Sequence, residues 1–343
     1  MESKVNIGLI GYGYWGPNLL RNFINLDEVG KFYLSDLNNE RLQLAKKKYP
    51  HVNIIKNAED LISNPQIDAI LIATPVETHF EFARKSIEAG KHVLIEKPMT
   101  ASIIEGQKLV EMANKTDKVV MVDHTFVYTG AVRKIKELIW INPSGDHSYY
   151  DSMRVNLGLF QNDVNVIWDL VPHDVSIIEY LFNSKVREVS ATGIPYKNSK
   201  YESIAFIYIF FEDNTIGHIN VSWISPVKIR LTLIGGEKKM IVYDDTETSE
   251  KVKIFDRSAE KIKTKDDLYR TWWQYRTGDI IIPNIDTTEA LYVEAKHFLD
   301  CVMNSKHPIT DVYAGMNVVT ILEMATKSCK EKRTIKLKGD NWV

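Results

Sequence analysis

The sequence predicts an α/β protein, with an N-terminal doubly wound parallel sheet and a C-terminal α+β domain built on an open, largely antiparallel sheet. Three observations predict it. Up to residue 123, short continuous runs of Ile, Val and Leu alternate with amphipathic stretches, as parallel strands buried on both faces and separated by helices require. After residue 123, runs of period-2 character follow one another with few helices between them. The chain has 343 residues, 44% of them hydrophobic, which supports two cores rather than one. The boundary is therefore placed at 123/124, giving domains over 1–123 and 124–343, with the closing helices free to pack back on the first domain.

In order, strands are expected at Val5–Ile10, Phe32–Ser35, Ala69–Ala73, His92–Ile95 and Val119–Val122. Helices are expected from Pro17, over Glu40–Tyr49, Glu77–Ala89 and Ile103–Lys115. The second domain opens with helices over Tyr128–Trp140 and Trp168–Leu181. Strands over Glu202–Phe211, Thr215–Ser222, Lys228–Gly235 and Lys239–Tyr243 follow, punctuated by turn signals at Asp213-Asn214 and Gly235-Gly236. Two helices close the chain, near Thr287–Met303 and Val312–Glu331.

The first strand runs into Gly11-Tyr12-Gly13-Tyr14-Trp15-Gly16, the spacing G-x-G-x-x-G between a strand and a helix. In that context Gly11 permits the turn, Gly13 lets the backbone approach a pyrophosphate, and Gly16 allows close helix–strand packing. The helix N-terminus then faces the anion, and Pro17 costs little there because its missing N–H has no intrahelical partner. Asp36 ends the second strand 20 positions after Gly16. A carboxylate there accepts the adenosine ribose hydroxyls and repels a 2′-phosphate, which favours NAD over NADP. The plainer reading is that Asp36 caps the next helix. Ala73-Thr74-Pro75, with Thr78 and His79, and Glu96-Lys97 lie at carboxyl ends of strands, where ligands of such sheets collect. Thr74 is equally readable as a loop residue before proline.

Lys97 sits between Glu96 and Pro98, past a strand that should be buried; a surface lysine is the ordinary reading. Asp169 and His173 are four apart and share a face if helical, although Pro172 argues for an irregular or starting turn. A carboxylate beside a histidine fixes its tautomer and raises its basicity. The alternative is a capping Asp and a structural His.

Together, G-Y-G-Y-W-G at Gly11–Gly16, A-T-P-x-x-T-H at Ala73–His79, E-K-P at Glu96–Pro98 and W-D-L-x-P-H-D at Trp168–Asp174 resemble the Gfo/Idh/MocA oxidoreductases over nearly the whole chain. The resemblance implies an N-terminal Rossmann domain that binds NAD, with Lys97, Asp169 and His173 matching the family's catalytic lysine, aspartate and histidine. A second Asp, common three residues after the His, is replaced by Ser176, while Asp174 directly follows the His. The implied reaction is NAD-linked oxidation of a secondary alcohol or its reverse. His173 is the general base, Asp169 orients it and Lys97 stabilises the reacting oxygen; Lys97 as base is the other assignment.

The W-D-L-x-P-H-D variant and Arg154–Gly158 are most similar to nucleotide-sugar members of the family, among them UDP-N-acetylglucosamine 3-dehydrogenases that make a 3-keto sugar for a partner aminotransferase. Free polyol dehydrogenases, an NADP-linked keto-sugar reductase and a non-catalytic dinucleotide-binding regulator are the alternatives. Substrate contacts are expected from His124, Tyr128, Arg154, Asn156, Asn165 and His173. Trp272-Trp273-x-Tyr275-Arg276 is read as an irregular aromatic segment that covers a base or sugar, or packs between subunits, the latter being favoured.

The net charge of -2, with no basic run, excludes binding driven by nucleic-acid phosphates. No stretch approaches the roughly 20 apolar residues that span a bilayer, and the start of the chain has no signal-peptide pattern. Cys301 and Cys329 form no CxxC, so neither a disulfide framework nor a metal site is expected. The expectation is a cytoplasmic homodimer or homotetramer, paired through the open face of the second sheet.

Overall fold

A computed structural model describes residues 4–141, 147–158, 164–182, 184–197, 199–236, 238–262 and 272–337. The chain separates into two compact units, one containing residues 1–129 and 288–323, the other 130–287 and 324–342.

In the first stretch, β1 (Val5–Ile10), α1 (Gly16–Phe23), β2 (Val29–Ser35), α2 (Asn39–Lys48), β3 (Asn53–Ile54), α3 (Ala58–Ser63) and β4 (Ala69–Ile72) follow one another. A 3₁₀ turn over Val76–Thr78 leads into α4 (His79–Glu88), then β5 (His92–Glu96), α5 (Ile103–Ala113) and β6 (Val120–Asp123), and a second 3₁₀ turn spans Thr125–Tyr128. All strand pairs here are parallel, in the order β3-β2-β1-β4-β5-β6. This is the doubly wound order, whose switch point lies between β1 and β4. Every residue of β4 is buried, as a central strand covered on both faces requires. Side-chain caps set several helix starts: Asn38 accepts the N–H groups of Glu40 and Arg41, Asn57 that of Glu59, and Ser102 that of Glu105.

The second unit contains α6 (Gly130–Ile141), β7 (His147–Leu157), α7 (Val166–Leu181), β8 (Val186–Pro195), β9 (Glu202–Phe211), β10 (Ile216–Ser222), β11 (Ile224–Gly236), β12 (Met240–Asp244), β13 (Val252–Ile262) and β14 (Trp272–Ile281). After α8 (Ala290–Asn304) and α9 (Val312–Glu331), β15 (Ile335–Lys336) joins its edge. The nine strands run β14-β13-β12-β11-β7-β10-β9-β8-β15, antiparallel except for the β7/β10 pair. α7 packs on β7, β9 and β10. In β9 the residues alternate, with Ala205, Ile207 and Ile209 buried and Phe206 and Tyr208 more than a third exposed. The register sets Phe206 and Tyr208 beside Asn220 and His218, and those beside Met153 and Asp151, so one face of the sheet exposes Phe206, Tyr208 and Met153 among polar side chains.

Two expectations are corrected here. Pro172 does not disturb its turn: α7 is helical throughout Val166–Leu181, with Pro172 in its interior. The segment holding Trp272 and Tyr275 is strand β14, not irregular chain. No helix among the described residues is long and apolar enough to cross a membrane. Both cysteines are free thiols, and no group of three or more His, Cys, Asp or Glu among the described residues is arranged to hold a metal.

Candidate active site

The glycine loop leaves the carboxyl end of β1 at the switch point of the first sheet. Gly11 has φ +97°, and a Cβ there would overlap the Ala73 carbonyl; a Cβ on Gly16 would overlap the carbonyl of Gly11. Gly13 has open space in front of it apart from the Arg41 guanidinium. Trp15 is the N-cap residue of α1 and makes no side-chain bond to the helix start, while Pro17 occupies the first turn. Unlike α2, α3, α5 and α7, α1 thus offers N–H groups without a side-chain cap. These features fit a dinucleotide pyrophosphate laid on the loop.

Asp36 is not the cap of α2, because Asn38 holds that place. Its carboxylate accepts the Tyr12 N–H at 2.6 Å and the Asn38 N–H at 2.7 Å, with Arg41 3.9 Å away. A carboxylate fixed by two backbone donors keeps lone pairs for a diol. Tyr12 is buried and Tyr14 stands in solvent.

At the β4 end, the Thr78 hydroxyl lies 2.7 Å from both Thr74 Oγ1 and the Pro75 carbonyl, so it donates to one of them. His79 is buried with Nδ1 2.8 Å from the Pro98 carbonyl and Nε2 2.8 Å from the Thr74 carbonyl. Burial lowers its pKa, so a neutral ring donates to one of these two oxygens. Lys97, half-buried, follows β5 directly, and the carboxyl of Glu96 before it is buried. Burial, then Asp123, raises the Glu96 pKa well above its ordinary value.

His124 follows β6, is 1% exposed, and has no hydrogen-bond partner for either ring nitrogen among the described residues. Burial pushes its pKa down to about 4. Tyr128 is equally buried, with its hydroxyl 3.0 Å from Thr310 Oγ1.

In the second unit, Asn165 caps α7: its side-chain oxygen accepts the Trp168 N–H at 3.0 Å, and its amide donates to Glu202 at 2.9 Å. Asp169 and His173 then lie one turn apart on a half-buried face, while Val171, Asp174, Val175 and Ile178 face inward. The Asp169 carboxylate accepts the indole N–H of Trp223 at 3.0 Å. Asp174 is fully buried and accepts from Arg154 Nε at 2.8 Å, Ser152 at 2.5 Å and Tyr150 at 3.1 Å. The Asp that directly follows the histidine therefore anchors α7 to β7. Burial works against the charge of Arg154 and Asp174 works for it, and its pKa ends raised. Asn156, on β7, is half-buried.

Of the polar residues expected to meet substrate, Asn156 and His173 are the ones left partly exposed; His124, Tyr128, Arg154 and Asn165 are buried. Trp223, the indole donor to Asp169, is a contact of the candidate site that sequence reasoning missed. It lies 54 positions from Asp169, and no local signal marks it.

Residues 5–124 match the oxidoreductase-family NAD-binding Rossmann fold of the Gfo/Idh/MocA group, and residues 163–337 match that family's C-terminal alpha/beta domain. The chain is 27% identical over 338 residues to scyllo-inositol 2-dehydrogenase (NAD(+)) of Bacillus subtilis (strain 168), covering 93% of this chain and 92% of that enzyme. Its fold is similar to that of UDP-N-acetylglucosamine 3-dehydrogenase GnnA from Acidithiobacillus ferrooxidans, with TM-score 0.80 and 20% identity over 96% of this chain and 98% of that one. It is also similar to GenD2 from gentamicin A biosynthesis in complex with NAD, with TM-score 0.83 and 18% identity over 98% and 97% of the two chains.

Proposed function

The chain belongs to the Gfo/Idh/MocA oxidoreductase family, and from that premise we propose that it oxidises a secondary alcohol, the C3 hydroxyl, of a nucleotide-linked sugar such as UDP-N-acetylglucosamine. It is an NAD(P)-dependent oxidoreductase acting on CH–OH groups, with an NAD-binding Rossmann domain.

The observation that carries the chemistry is Asp169 and His173 sharing a half-buried face of α7, with Asp169 fixed by Trp223. Asp169 holds the imidazole orientation, and His173 takes the hydroxyl proton. Lys97 donates a hydrogen bond to the reacting oxygen as it becomes a carbonyl. Bound NAD supplies the hydride acceptor at nicotinamide C4. Gly11, Gly13 and Gly16 cradle the pyrophosphate, and Asp36 holds the ribose diol.

The nucleotide-sugar reading is supported by the W-D-L-x-P-H-D stretch with Arg154–Gly158. Its 3-keto product is a substrate for an aminotransferase. The second reading, a free cyclic polyol, is favoured by the 27% likeness to an inositol dehydrogenase along nearly the whole chain. NADH formation at pH values around neutrality with UDP-N-acetylglucosamine, glucose and myo-inositol, with an aminotransferase trap to draw off ketone, separates them. Turnover with the nucleotide sugar alone supports the first reading, and turnover with myo-inositol replaces it with the second. In either case, the open face of the second sheet pairs two copies of the chain.

A further inference from the structure

Three carboxyl groups from distant parts of the sequence meet behind the glycine loop: Glu96 at the end of β5, Asp123 at the end of β6, and Glu294 on α8. They are 8%, 1% and 0% exposed. Asp123 accepts the Trp15 indole N–H at 2.8 Å and the Thr125 hydroxyl at 2.5 Å. Thr125 lies beside Glu294 as well, but its single hydroxyl proton goes to Asp123. Both oxygens of Glu294 are buried and have no donor among the described residues. Glu294 and Glu96 both face Asp123, and two carboxyl groups bond to each other only when one of them carries the proton.

Three buried anions beside the cation of Lys97 would be prohibitive in cost, whereas one anion with several donors is a stable arrangement. Asp123 is the member with hydroxyl and indole donors, so it is the anion. Burial, then the neighbouring Asp123, raises the pKa of Glu294 well above its ordinary value, and Glu96 behaves likewise.

We propose that Glu294 is a positioning residue for cofactor binding: as a neutral acid it donates to Asp123 and, with Glu96, clamps the carboxylate that holds Trp15 and hence the glycine loop. The inference rests on the NAD-binding part of the proposed function. It needs neither the identity of the sugar nor the role of His173.

The test uses the full chain and reads NADH affinity by fluorescence titration, with thermal melting alongside. Glu294→Gln keeps a donor of the same shape and is expected to hold NADH affinity within about twofold of wild type. Glu294→Leu and Trp15→Phe each remove one hydrogen bond and are expected to weaken it about tenfold. Infrared spectra of the wild type at neutral pH are expected to show the carbonyl stretch of buried protonated carboxyl groups, reduced in Glu294→Gln. Wild-type affinity in Trp15→Phe overturns the inference, as does a loss in Glu294→Gln equal to that in Glu294→Leu, or the absence of the protonated-carboxyl band. If Glu294→Leu does not fold, Trp15→Phe and the infrared band decide. A failure of every sugar in the turnover assay leaves these readouts unchanged and overturns only the substrate reading.

Discussion

The indole N–H of Trp223 lies 3.0 Å from the carboxylate of Asp169, although the two residues are 54 positions apart. Trp223 is 1% exposed, so its ring cannot swing away from the acid without opening the core. A hydrogen bond to a charged group contributes about 1.5–3 kcal/mol. If Asp169 orients His173, Trp223→Phe should lower kcat by at least about tenfold while NADH affinity stays near wild type. Steady-state kinetics with a titration of NADH checks this; an unchanged kcat would leave Trp223 as packing alone.

Lys97→Ala and His173→Ala are each expected to lower kcat/KM by about a hundredfold or more, the usual contribution of a positioned acid or base. NADH affinity should change little in His173→Ala, because that residue belongs to the second unit. Comparing the pH profiles of the two variants assigns the base. The variant that loses the acid limb of the profile has lost it.

Asp36→Ala removes the acceptor for both the Tyr12 and Asn38 N–H groups. Weaker NAD binding and a smaller preference for NAD over NADP should therefore appear together. Affinities for the two nucleotides measured side by side test this. A variant that keeps its discrimination would return Asp36 to the role of a loop anchor.

The sheet face that exposes Met153, Phe206, Tyr208 and Ile216 is expected to pair two copies of the chain. Sedimentation of the wild type should give a mass above that of a monomer, and Phe206→Glu with Tyr208→Glu should shift it downward. A monomer mass at every concentration of the wild type would dismiss the pairing.

The buried acids also predict a pH dependence of stability. Glu96 and Glu294 keep their protons in the folded chain, whereas in the unfolded chain they release them above about pH 4.5. The unfolded state then binds fewer protons, and stability falls as pH rises toward the raised native values. The histidines His79 and His124, with depressed pKa values, act in the opposite sense, but their contribution is complete once pH exceeds their ordinary value of 6.5. Above pH 6.5, where the histidines no longer contribute, the carboxyls, facing Lys97, Asp123 and Tyr128, should add a downward slope until their raised native pKa values are passed. Glu294→Gln should flatten it, as read from urea midpoints across that range.

The first sheet was legible because its strands are continuous apolar runs; β3 was not, being two residues long. β7 escaped for a different reason. Its inward residues Tyr150, Ser152 and Arg154 are largely polar because they serve Asp174, so the usual alternation of apolar and polar side chains is hidden. Likewise, Pro172 argued against a regular turn, yet α7 continues through it because its buried face supplies the stability a propensity rule leaves out. The glycines and the Asp169/His173 pair could be marked from spacing, and Lys97 from the resemblance that E-K-P carries. Their supports, Trp223 and Glu294, could not, since each is joined to its partner only by the folded chain.

The ring of His79 reaches one carbonyl in each of two loops, Thr74 after β4 and Pro98 after β5. Those loops consequently form one exchangeable cassette. A chimera that imported either from a relative while keeping the other would pair a donor cut for one backbone with an acceptor from another. Grafting the stretch from Ala73 to Pro98 whole preserves that fit.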